Sequence, residues 1–192
     1  MRLAAVPGIT PVTMRSPEAT AEALTDLIVS VRGPESAHDP GVRLAAQDAA
    51  EMAHTNGAGL VAVVSHAQAD PAILVGMVVT SDVPLGQDAA VELQRYLEDD
   101  GTDIREVTTS TTTRGYPVVI AERLLMTGPP TAGAQLQAVV IDPTGRRMAV
   151  FTLHSTTGKG WLELATVLGQ LVSSVDFAEE RNDPRMRVTS RR

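Results

Sequence analysis

Four histidines, one lysine and no cysteine set the side-chain chemistry open to this 192-residue chain. Without cysteine there is no disulfide, thiolate metal site or thiol nucleophile, so any metal would fall to His, Asp or Glu. His38, His54, His66 and His154 show none of the i, i+3 or i, i+4 spacings that place two ligands on one helical face. A metal centre would therefore have to be assembled by the fold. His66 and His154 each close an expected strand, where an imidazole commonly serves as a hydrogen-bonded rim residue, and His38 in Ala-His-Asp-Pro reads as solvated. Ser155 follows His154, but successive strand residues point to opposite faces, and no G-x-S-x-G occurs, so a serine hydrolase is not expected.

Thr156 to Gly160 precedes an expected helix, where free N–H groups attract anions, and it carries Lys159, the only lysine. The segment departs from the phosphate-binding G-x-x-x-x-G-K-[ST] pattern, with no glycine five residues before Gly158, and reads as a strand-to-helix loop. Glu98, Asp99, Asp100 and Asp103 gather at a helix C-terminus, where they oppose the dipole at a cost of a few tenths of a kcal/mol, roughly what a solvated loop tolerates. No catalytic, cofactor-binding or metal-ligating set is expected. The alternative is a pocket near His66, His154 and Lys159, serving a small ligand, an anion or an enzymatic reaction.

The elements that would position these residues follow from periodicity and turn chemistry. Residues 1 to 15 lack periodicity and read as an extended lead-in or edge strand. Ser16-Pro17 is an N-cap followed by proline at the first helical position. From there Thr20, Ala23, Leu24, Leu27, Ile28 and Val31 recur at helical spacing until Gly33-Pro34. After a turn-forming loop, a second helix from Val42 presents Ala45, Ala46, Ala49, Ala50 and Ala53, a face that lets a sheet or a second copy approach closely. Leu60–His66 and Ile73–Ser81 read as a hairpin, Gly86–Asp99 as a helix with Tyr96 on its apolar side, and Ile104–Arg114, with five threonines, as a half-exposed or edge strand. Tyr116–Met126 is a strong strand. Gln135–Ile141 and Arg146–His154 flank Asp142-Pro143-Thr144-Gly145, which has the residues of a tight turn. A last helix, from Trp161 to Phe177, carries Leu164, Ala165, Leu168, Leu171, Val172 and Val175 on one stripe.

The expected fold is α+β: one domain over 1–178, made of a helical hairpin at 16–56 and, at 59–177, an antiparallel sheet of about 6 strands flanked by helices as an α/β/α sandwich. Residues 179–192 hold five arginines against three acids and read as a basic, disordered tail; with a total charge of -7, that surplus of two leaves the body at -9. Five aromatic residues in all offer no stacking platform, so nucleic acid is not an expected partner. No apolar run reaches about 18 residues, so no membrane span is expected. Pro7 and Gly8 interrupt the start before a secretory core can form, and the expected location is cytoplasmic. Fifteen arginines against one lysine, with abundant Ala and Val, point to a GC-rich bacterial coding sequence.

Arg-Gly-Tyr-Pro at 114–117 leading into Val118–Leu124, the Asp-Pro-Thr-Gly hairpin with Met148–His154, and Trp161–Phe177 ending in Ser-Val-Asp-Phe together resemble the Mog1/PsbP-like group over the C-terminal half. The resemblance implies an α/β/α sandwich around an antiparallel sheet and a mostly non-catalytic role: accessory subunit, transport factor or chaperone. It carries no functional residue over. With no reactive constellation, the expected function is protein binding, as adaptor, chaperone or assembly subunit, with another protein or a second copy as partner.

Overall fold

A computed structural model describes residues 1–86, 88–100, 103–125, 133–143 and 145–177. The chain runs β1 (Ile9–Pro11), α1 (Pro17–Arg32), a 3-10 turn at Pro34–His38, α2 (Pro40–Thr55), β2 (Leu60–Val64), β3 (Ala72–Thr80), α3 (Ala89–Asp100), β4 (Ile104–Thr111), β5 (Pro117–Leu125), β6 (Gly133–Ile141), β7 (Arg147–Ser155) and α4 (Trp161–Ser173). The strands form one antiparallel sheet in the order β1-β2-β3-β7-β6-β5-β4. The fold is thus α+β with helices on both faces. Its sheet has seven strands and not about six, because the lead-in supplies β1, with Ile9 opposite Val64.

Alternation along the strands divides the side chains between the two faces. Toward α4 point Ala62, Leu74, Phe151, Leu153, Val118 and Val140, all buried against Leu164, Leu168, Leu171 and Val172 of the helix. Phe151, fully buried, lies over Gly76, where a Cβ would come within 3.1 Å of its ring. The glycine makes room for the largest core side chain. Toward the other face point Val61, Val63, Ile73 and Val75, which pack under α1 and α2, and Val119 and Ala121, which pack under α3.

Local chemistry accounts for the helix bounds. Ser16 Oγ accepts from the Ala19 N–H at 3.2 Å and starts α1. Asp39 accepts from the Gly41 N–H at 2.9 Å and starts α2 at Pro40, two residues before the expected Val42. The Asp-Pro pair is a cap as well as a turn signal. The alanine face of α2 is spent on the sheet and α1, with Ala46, Ala49, Ala50 and Ala53 buried. Thr20 and His54 lock the two helices together through a 3.0 Å hydrogen bond.

Two expectations are corrected here. α4 ends at Ser173 and not at Phe177: the Ser174 hydroxyl turns back to the Leu171 carbonyl, and Asp176 then pairs its backbone with Arg2 as extended chain. Phe177 is buried as part of that segment, 5.3 Å from the Tyr116 ring. Tyr96, placed on the apolar side of α3, is instead 61% exposed, and Leu97, Leu93 and Ala90 make the contact. The connection after Met126 and the basic tail at 179–192 lie outside the described residues.

Candidate functional site

The sheet registers align one row of residues across the α1–α3 face: Val61, Val75, Thr152, Gln137, Ala121 and Val107. The next row runs Val63, Ile73, His154, Gln135, Arg123 and Ile104. Both rows are apolar under α1/α2 and polar on β7 and β6. α2 packs on β2 and β3, and α3 on β4 and β5, so the polar strip falls between the two helical units.

At this strip lies a cleft of about 160 Å³, with Ile73, Val75, Gln135, Thr152 and His154 as floor and the α2 residues Leu44, Ala45, Asp48, Ala49 and Met52 as wall. Leu44 and Met52 form an apolar rim, 37% and 42% exposed. Burial holds the His154 imidazole below its ordinary value, against an opposite pull from the Asp48 carboxylate. Among the described residues none of the side chains of Asp48, Gln135, Thr152 and His154 is hydrogen-bonded to protein. Arg123, next to Gln135 in the same row, is not part of the lining, and its Nε is buried without a hydrogen-bond partner among the described residues.

Of the three residues of the alternative pocket, His66 and His154 border different recesses, and His66 and Lys159 have different partners. His154 faces the cleft; His66 caps its own turn, with Nδ1 accepting from the Gln68 N–H at 3.3 Å; Lys159 Nζ pairs with Asp70 at 3.3 Å. Their common neighbour is Asp70, which borders one recess with His154 and a separate one with His66. No hydrogen bond joins the three to one another among the described residues. Ser155 lies on the face opposite His154, and its hydroxyl accepts from the Gly158 N–H at 3.0 Å.

The loop 156–160 uses its groups internally. Thr157 Oγ1 accepts from the Lys159 N–H, and Gly160, with φ of 69°, lies so close to Ala69 that any Cβ would clash at 2.3 Å. Its geometry serves the contact between two loops, and its one cation is already paired. Among the described residues no group of three or more His, Asp or Glu could hold a metal ion.

A second region is the end of the sheet at β4. The strand is mostly exposed and, among the described residues, pairs only with β5. Its ladder is irregular between Ile104 and Glu106, where Arg105 reaches Glu122 at 3.3 Å. From Val107 to Thr111 it carries no charge. The Thr112 N–H donates to the Tyr116 carbonyl, and paired positions alternate along an antiparallel ladder. Thr108 and Ser110 therefore spend their backbone groups on β5, while Val107, Thr109 and Thr111 turn theirs outward. The opposite end is blunted: β1 is three residues long and finishes in Pro11, which has no N–H.

Sequence reasoning identified the β4 edge from its threonines but missed Asp48, Gln135 and Thr152. A signal for the last two was present. Gln135-Leu136-Gln137 and Thr152-Leu153-His154 alternate polar with apolar in strands that are central in the sheet, where cover on both faces would give continuous apolar runs.

No protein-family model and no curated protein sequence matches the chain.

Proposed function

We propose that the protein is a non-catalytic, cytosolic protein-binding module that takes an extended segment of a partner polypeptide onto the free edge of β4. The observation that carries this reading is the uncharged run Val107–Thr111 at a sheet end, with outward backbone groups at three alternate positions. Such an edge is a template for strand addition, in which main-chain hydrogen bonds supply affinity. Natural sheets usually blunt a free edge with charge, proline or a short strand, as β1 does here. β4 has charge and irregularity only at its start, at Arg105 and Glu106.

That no hydrogen bond joins His66, His154 and Lys159 to one another among the described residues supports binding over catalysis, and the lack of cysteine suits a reducing compartment. No described helix is long and apolar enough to cross a membrane. The likeness of residues 114–177 to the Mog1/PsbP-like group leans the same way. A net charge of -7 favours a partner segment that is neutral or basic.

A pair of proline variants tests the reading. Thr109→Pro removes an outward N–H and leaves the ladder intact, so the chain folds but its partner is lost from co-purification out of the native lysate. Thr108→Pro removes a ladder bond and so destabilises the fold itself. Recovery of the same partner at the same yield by folded Thr109→Pro would refute strand addition. If the recovered partner is a second copy, the same variant converts dimer to monomer.

A further inference from the structure

We infer that the cleft between α2 and the β7–β6 floor is a binding site for a small organic cation: a protonated amine on an apolar body about the size of one six-membered ring. The site is separate from the β4 edge and independent of what binds there.

Size sets the body. The cleft measures about 160 Å³, and an apolar cavity of about 150 Å³ is known to take benzene. Surface chemistry sets its character. Ala45, Ala49, Ile73 and Val75 offer flat apolar contact, and Leu44 and Met52 stand at the rim, where a flexible thioether adapts to a guest.

Charge sets the head group. Asp48 is the one carboxylate of the lining, and no Lys or Arg lines the cleft. Burial keeps His154 neutral there, so its ring presents an acceptor nitrogen beside the side-chain oxygens of Gln135 and Thr152. An anion would meet the Asp48 carboxylate with no cation in the lining to compensate, whereas an ammonium can pair with that carboxylate and donate to the acceptor atoms of Gln135, Thr152 and His154.

The convergence of polar groups argues for a site over a packing gap. Asp48 stands exposed on the wall and Gln135, Thr152 and His154 lie in the floor; all four face one cleft, and among the described residues none of them is hydrogen-bonded to protein. They stand where the two helical units leave the sheet uncovered, in the only stretch where both cross-sheet rows change from aliphatic to hydrogen-bonding side chains.

The test is an NMR titration of the full chain at pH 7.5 with benzylamine, benzyl alcohol and benzoate. The reporters are the methyls of Ala45, Ala49 and Met52 and the His154 ring. Benzylamine produces saturable shifts confined to these groups. Benzyl alcohol binds about three- to fivefold more weakly, the scale of one exposed charge interaction, and benzoate more weakly still. Asp48→Asn, at an exposed position, brings benzylamine to the level of the alcohol, and Ala45→Leu, which fills the cleft from its wall, abolishes binding of all three. Equal affinity for the three probes, a benzylamine affinity unchanged by Asp48→Asn, or no saturable shift in the folded chain would each overturn the assignment; the last would mean that the cleft holds solvent only.

Discussion

On one face of the sheet a single helix, α4, closes over apolar side chains drawn from β2, β3, β5, β6 and β7. On the other, two separate units, α1/α2 and α3, cover the two ends and leave a polar strip between them. The first arrangement leaves little polar surface inside. Where Glu122 faces that side, the Trp161 indole N–H donates to it at 2.9 Å; where Asp142 is buried, Arg147 reaches it at 2.9 Å and also caps the Phe177 carbonyl at 2.6 Å. The second leaves Asp48, Gln135, Thr152 and His154 without side-chain hydrogen bonds to protein among the described residues. The sealed face holds the larger buried cluster, and the two proposed recognition sites, the cleft and β4, fall where sealing stops.

The largest effect expected from this division is on the sealed side. Phe151→Ala removes a fully buried ring between Gly76 and α4, and should cost about 3–5 kcal/mol in denaturant unfolding. Arg147→Ala withdraws the guanidinium from a buried carboxylate and from Phe177. Allowing for the partial exposure of the arginine, it should cost about 2–3 kcal/mol, less than a fully buried pair.

The divided face should respond weakly. Acid lowers stability through His154, whose folded-state value lies below its ordinary one near 6.5. The unfolded chain then binds the proton first, so this contribution is complete above that value and is lost as pH falls through it toward the depressed folded one. His154→Gln should flatten the fall, seen as the difference between paired pH titrations of stability. Thr152→Val, which removes a hydroxyl that no described protein group bonds, should change stability by less than about 1 kcal/mol. A large loss from Thr152→Val, or a small one from Phe151→Ala, would erase the distinction between the faces.

Sequence patterns carried the elements better than the site. The hairpin around Asp142–Gly145, the Ser16-Pro17 cap and the threonine edge are local signals, legible because turn residues and period-2 or period-3.6 patterns act over a few residues. The end of α4 was misread because Val175 and Phe177 continue the apolar stripe although the backbone there pairs with Arg2, a contact from the other end of the chain. β1 was ambiguous for the same reason: three residues gain strand character only from β2. The cleft was invisible as a set, since Asp48 comes from α2, Gln135 from β6 and Thr152 and His154 from β7. Only topology makes β7 the central strand between β3 and β6.

Amide hydrogen exchange along β4 tests the central claim most directly, measured on the free chain and on the chain with its co-purified partner bound. In the free chain Thr108 and Ser110 should be protected by β5 while Val107, Thr109 and Thr111 exchange fast. In the complex those three outward amides should slow by about tenfold or more, as new ladder bonds form. Outward amides that exchange equally fast with and without the bound partner would contradict strand addition at this edge.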